Sequence, residues 1–230
     1  MGQGHPRDAS KSLREAVRDA RGLLKNLKAF GVTTVPLKKT APPKTSKNAQ
    51  LEPLRQKALQ CQACRLHEKR TSVVFGEGNL DAALVFVGEG PGREEDLQGR
   101  PFVGAAGGLL TKIIQAMELQ REQVYITNVV KCRPPMNRPP EPDEVAACSG
   151  FLEFQLKTIR PKVICALGKT AATALLKTEE PMSRLRGKQH SWEGIPLVVT
   201  FHPAYLLRNP AAKPLVWQDM QQVLSLLKSR

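Results

Sequence analysis

The apolar positions of this chain fall into four continuous runs and several helical stretches. The runs are Leu84-Val85-Phe86-Val87, Val124-Tyr125-Ile126-Thr127-Asn128-Val129-Val130, Val163-Ile164-Cys165-Ala166-Leu167 and Leu197-Val198-Val199-Thr200-Phe201. Each is rich in β-branched residues and bounded by turn formers, which predicts buried strands. Between and after them, apolar residues recur at helical spacing over 107–118, 142–160, 168–178 and 214–228. Pro142 is placed for the first turn of its helix. Fully apolar strands alternating with helices predict a parallel sheet covered on both faces.

The first fifty residues follow another pattern. Leu13, Val17, Leu24 and Leu27 share one face of a predicted helix over 10–30, with Arg14, Arg18, Arg21, Lys25 and Lys28 elsewhere and Gly31 ending it. Residues 33–50 carry Pro36, Pro42, Pro43 and four lysines, the composition of a linker. The chain therefore divides into a basic extension over 1–50 and a domain over 51–230, long enough to bury a sizeable core.

Charge narrows the partner. The net charge is +14, and residues 1–50 contribute eleven Lys/Arg against three Asp/Glu. The domain is thus basic as well, which fits a polyanion, most simply nucleic acid. No apolar run approaches the roughly 18 residues of a membrane span, and the first residues lack the apolar core of a signal peptide. A soluble, cytoplasmic protein with no membrane partner is expected.

In a parallel sheet, ligands bind at the carboxyl ends of the strands. Three features gather there: Gly88-Glu89-Gly90-Pro91-Gly92 after the first run, Asn128 near the end of the second, and His202 after the fourth. The glycine loop either brings backbone N–H groups close to a ligand or makes a simple turn. Among the carboxylates that follow, Glu94, Glu95 and Asp96 suit a helix start, and one of them could also position a water. Phe102, set among glycines in a loop, either anchors that loop or stacks on a planar ligand. Asn128 offers a donor and an acceptor together, suited to reading a base edge.

Five cysteines without a secretory signal point to thiolate ligation rather than disulfides. Cys165 lies inside an apolar run and reads as a small buried hydrophobe. Cys61, Cys64, Cys132 and Cys148 remain, as a Cys-x-x-Cys pair and a pair separated by fifteen residues. Four thiolates accept zinc or a four-iron cluster, and the spacing alone does not choose.

Taken in order, these motifs resemble the iron–sulfur (family 4) uracil-DNA glycosylases over roughly residues 52–230. The resemblance rests on Cys61-x-x-Cys64, Val74-Phe75-Gly76-Glu77-Gly78, Gly88-Glu89-Gly90-Pro91-Gly92-x-x-Glu95-Asp96 and Gly99-Arg100-Pro101-Phe102-Val103-Gly104. It continues through Thr127-Asn128-Val129-Val130-Lys131-Cys132-Arg133-Pro134-Pro135, Asn137-Arg138-x-Pro140, Cys148, and His202-Pro203-Ala204-Tyr205-Leu206-Leu207-Arg208. It implies a three-layer α/β/α sandwich with a four-stranded parallel sheet and a structural 4Fe–4S cluster on the four cysteines. It implies a pocket for uracil made by Gly88, Glu89, Gly90, Pro91, Phe102, Asn128 and His202, with His202 bonding uracil O2. Leu206, Leu207 and Arg208 would form the wedge that enters the duplex. The implied partner is uracil-containing DNA, met by a monomer with no obligate protein partner and, in a prokaryote, at the nucleoid.

Two departures follow from that resemblance. Gly90 stands where better-known glycosylases of the superfamily carry a water-positioning Asp, which leaves Glu89 or Glu95 for that task. Residues 128–145 contain no His to trap the product covalently, so turnover is expected. Outside the resemblance, the same residues allow a non-catalytic four-cysteine DNA-binding module or a redox iron–sulfur enzyme. No dinucleotide fingerprint supports the latter.

Overall fold

A computed structural model describes residues 17–22, 25 and 46–229. The chain divides into two units, Met1–Lys44 and Thr45–Arg230. In the first, residues 17–22 and 25 are helical. The remainder of the helix expected over 10–30 lies outside the described residues.

The second unit begins with α1 (Lys47–Leu59), capped by Ser46, whose Oγ accepts from Ala49 N. Residues 47–50, expected in the linker, are therefore helix. Lys47 belongs to the domain, donating to the carbonyls of Ile159 and Leu80 at 2.8 and 3.2 Å.

Six strands follow: β1 (Glu77–Gly78), β2 (Leu84–Gly88), β3 (Tyr125–Asn128), β4 (Val163–Leu167), β5 (His190–Trp192) and β6 (Ile195–Thr200). They form one sheet in the order β1-β3-β2-β4-β6-β5. The four apolar runs supply the parallel centre, β3-β2-β4-β6. The expectation of a four-stranded parallel sheet is corrected at both edges, where β1 and β5 pair antiparallel. These strands have two and three residues and present no apolar run to detect. The signal for β5 was in its turn. Glu193-Gly194 joins β5 to β6, with both residues at positive φ (45° and 82°), as a two-residue hairpin requires.

The helices are α2 (Arg93–Gln98), α3 (Ala105–Ala116), α4 (Pro142–Ile159), α5 (Lys169–Leu176), α6 (Met182–Leu185), α7 (Pro203–Arg208) and α8 (Lys213–Lys228). Alternation along the strands divides the core into two layers. Val85, Val87, Ile164, Ala166, Leu197 and Val199 pack with Leu51 and Ala58 of α1, Leu152 and Leu156 of α4, and Ala171 and Leu175 of α5. Leu84, Phe86, Ile126, Cys165 and Val198 pack on the other face with Leu110 and Ile114 of α3 and Met220 and Val223 of α8. The result is a three-layer α/β/α sandwich. Among the described residues no helix is long and apolar enough to cross a membrane.

Candidate active site

Register sets the site. Gly88 at the end of β2 lies opposite Asn128 at the end of β3. Beyond them pairing continues, with Val129 and Val130 N–H donating to the carbonyls of Gly88 and Glu89 at 2.9 and 3.1 Å. The glycine loop is thus a continuation of the sheet. A side chain at Gly88 would place its Cβ 2.4 Å from Asn128 Oδ1 and 2.6 Å from Phe102 Cζ, so only glycine lets both groups sit there.

A cavity of about 470 Å3 opens at this end of the sheet, lined in part by Glu89, Gly90, Pro91, Glu95, Phe102, Asn128 and His202. Every substrate-binding residue expected from the sequence is brought there except Gly88, which lies beneath Asn128 and Phe102. Phe102 has φ 52° and is 6% exposed, with its ring 5.6 Å from that of His202. Its backbone crosses α3 at Gly107, where a Cβ would come within 2.0 Å of Phe102 C and O.

Two carboxylates face different fates. Glu95 Oε1 accepts from Val103 N and Gly104 N, both at 2.9 Å, and Oε2 accepts from Gly92 N at 3.1 Å. Glu95 therefore ties the glycine loop to the Phe102 loop through three backbone N–H groups. Glu89 is held by one oxygen only, which accepts from Thr170 Oγ1 at the start of α5.

His202 caps α7. Its Nδ1 accepts from Ala204 N at 3.1 Å, which places the ring proton of the neutral form on Nε2. Burial pushes its pKa down to about 4, against a smaller upward pull from Glu95. The ring is thus a neutral donor at physiological pH. Asn128 is 1% exposed, and its Oδ1 is buried without a hydrogen-bond partner; Thr173 Oγ1 is the other such oxygen among the described residues. Native proteins rarely leave a buried acceptor unanswered, and this one borders the cavity.

The three wedge candidates separate on α7. Leu206 is 1% exposed and packs in the core, because it shares the inward face of this short helix with Pro203. That corrects its assignment as a wedge. Leu207 is 48% exposed and Arg208 lines the cavity mouth.

Thr170, Asn137, Arg138 and Tyr205 also line the cavity, and the sequence reading gave none of them a role. Thr170 was findable, since it opens the helix after the third parallel strand, at the same sheet end. Arg138 was not: its guanidinium grips Glu144 at 2.7 and 2.8 Å. That contact, with Arg65 and the N–H of Glu141, holds the Glu144 pKa down to about 2 despite complete burial.

The four expected ligand cysteines surround a second, smaller cavity with Arg70 and Lys131. Cys61 and Cys64 follow α1, Cys132 follows the β3 extension and Cys148 lies on α4. Arg70 Nη1 donates to Cys132 Sγ at 3.2 Å, and Lys131 N to Cys148 Sγ at 3.3 Å. Burial pushes the bare Cys148 thiol up to about 11 and raises Cys132 also, so thiolates here call for a positive centre to hold them. Among the described residues no three His, Cys, Asp or Glu side chains converge closely enough to chelate a single ion. Cys165 stands apart, fully buried in the opposite core layer.

Residues 75–221 match the model of the uracil DNA glycosylase superfamily. The chain is 49% identical over 182 residues to the type-4 uracil-DNA glycosylase of Thermotoga maritima, covering 77% of this chain and 95% of that protein. It is 44% identical to the type-4 uracil-DNA glycosylase of Saccharolobus solfataricus, over 74% of this chain and 83% of that one. For the Archaeoglobus fulgidus type-4 enzyme the identity is 42%, over 75% and 91%. The chain belongs to the uracil DNA glycosylase superfamily, in its type-4 branch.

Proposed function

We propose that the protein removes uracil from DNA by hydrolysing the bond between the base and its deoxyribose, leaving an abasic site. The observation that carries this is the unpaired, buried Oδ1 of Asn128. Uracil N3–H would supply the missing donor, and the amide nitrogen would then face O4. Cytosine presents an acceptor at position 3 and a donor at position 4, leaving both groups mismatched.

The base cannot reach this cavity inside a duplex, so its nucleotide must be extruded. Leu207 and Arg208 occupy the gap, offsetting an unstacking cost of about a few kcal/mol. Phe102 stacks on the pyrimidine. As the glycosidic bond breaks, charge grows on uracil O2 while the sugar becomes a cation. The Nε2–H of His202 is the donor available to O2. Neutral beforehand, it donates a hydrogen bond to the departing anion without handing over its proton. Of the two carboxylates, Glu89 retains an oxygen with no protein hydrogen bond among the described residues, and it positions the attacking water.

We assign Cys61, Cys64, Cys132 and Cys148 to a 4Fe–4S cluster. Four thiols lining one cavity support this reading. Bound there, the cluster supplies no step of the hydrolysis: it fastens α1, the loop after β3 and α4 together. The protein acts as a monomer on DNA, at the nucleoid in a prokaryotic cell. Alkali-labile strand breakage at a single deoxyuridine in a labelled oligonucleotide tests the activity, and intact strands after exposure to purified wild-type protein would refute it.

A further inference from the structure

Met136 is 92% exposed, far more than any other large apolar side chain among the described residues. It also sits in left-handed backbone with its neighbour, at φ 54° for Met136 and 55° for Asn137. Non-glycine residues take that conformation only at a cost, and such strain collects at functional sites.

The segment carrying Met136 is stiff. Arg133 Nε donates to Asn137 Oδ1 at 2.8 Å, and Arg138 is clamped on buried Glu144. Pro134, Pro135, Pro139 and Pro140 surround the tip. Pro134, Asn137 and Arg138, on either side of Met136, line the cavity. A rigid, strained lip thus holds one apolar side chain out in water beside the pocket.

We propose that Met136 is a second wedge, packing into the base stack beside the extruded nucleotide in addition to Leu207. This rests on the uracil-pocket reading. The partner is duplex DNA rather than a protein because the lip is continuous with the pocket rim, and the charged neighbours Arg133 and Arg208 suit phosphates. An unbranched thioether also fits the irregular gap of a kinked step.

The test uses the full chain with Met136→Ser and Met136→Gly. Uracil release is measured on duplex and single-stranded substrates, together with the fluorescence of a 2-aminopurine placed next to the deoxyuridine. On duplex DNA, kcat/KM should fall about tenfold, the size expected for one buried apolar side chain. That loss should exceed the loss on single strands at least several-fold, and the unstacking signal should shrink. Met136→Gly should melt at or above the wild-type temperature, since glycine relieves the left-handed backbone. Equal losses on the two substrates, no loss, or a lower melting temperature for Met136→Gly would overturn the proposal. A wild-type protein inactive on both substrates would sink the pocket reading and this inference with it, which separates that failure from one confined to Met136.

Discussion

The cavity at Asn128 and the cavity at the cysteines hang from one stretch of chain, yet they are finished in opposite ways. Around the cysteines the protein answers its own polar groups. Lys131 is 1% exposed, and its Nζ donates to Thr127 Oγ1, Asn128 O and Gln155 Oε1 at 2.7, 2.8 and 2.7 Å. Two of the four sulfurs receive donors, Cys132 from Arg70 and Cys148 from the backbone N–H of Lys131. Around Asn128 the polar groups are left open: an unpaired amide oxygen, a neutral histidine donor and half of a carboxylate. A region satisfied from within is scaffold, whereas one with unmet acceptors and donors is prepared for a ligand. Substitutions in the two should therefore separate stability from chemistry.

The largest effect is expected in the scaffold. Replacing Cys148 by Ser should bleach the brown absorbance near roughly 400 nm that thiolate-bound iron gives. It should also lower the melting temperature steeply, because ligand-set binding energy is folding energy. Cys165→Ala should keep the colour. A colourless wild-type protein carrying stoichiometric zinc would break this side of the comparison.

On the pocket side, Asn128→Ala and His202→Ala should each slow single-turnover uracil release about a hundredfold or more, the usual loss for one transition-state donor. Colour and melting temperature should stay near wild type. Near-native rates in both variants would mean that the open groups serve something else.

Glu95 tests the boundary between the two behaviours. It lines the pocket but is satisfied by three backbone N–H groups, so Glu95→Gln should act through the Phe102 loop. We expect a fall of about tenfold in kcat/KM, since the charge-assisted bonds weaken to neutral ones. Phe102→Ala combined with Glu95→Gln should then lose little more than Phe102→Ala alone. Fully additive losses would return Glu95 to a direct role in catalysis.

The smallest effect is a flat line. His202 has a folded pKa near 4, below the ordinary 6.5. Its rate contribution should show no inflection between pH 6 and 8, falling only as pH approaches about 4. For stability the sign is fixed too: between about 4 and 6.5 the unfolded chain binds more protons. The advantage of burying neutral His202 is thus full above pH 6.5 and declines as pH falls toward 4. An inflection near 6.5 that disappears in His202→Ala would contradict the neutral-donor account.

Much of this was legible in the chain. The parallel centre of the sheet could be read because buried strands are apolar along their whole length, and that placed Gly88, Asn128 and His202 at one end. The edge strands could not, because Glu77–Gly78 and His190–Trp192 are too short to show a period. The pocket's residues were visible as types, but their division of labour was not. That Glu95 is spent on backbone while Glu89 is half free depends on which N–H groups the loops bring within 3.1 Å. Leu206 and Leu207 are adjacent and alike, and only the docking of α7 decides which one faces the core.

The central claim is that the unpaired oxygen of Asn128 reads uracil as the base to be removed. The most direct measurement is base release by the purified full-length protein from two oligonucleotides identical except for one deoxyuridine or deoxycytidine. The account predicts free uracil and an abasic site from the first and none from the second, with the first lost in Asn128→Ala. Release of both bases at similar rates, or of neither, would contradict it.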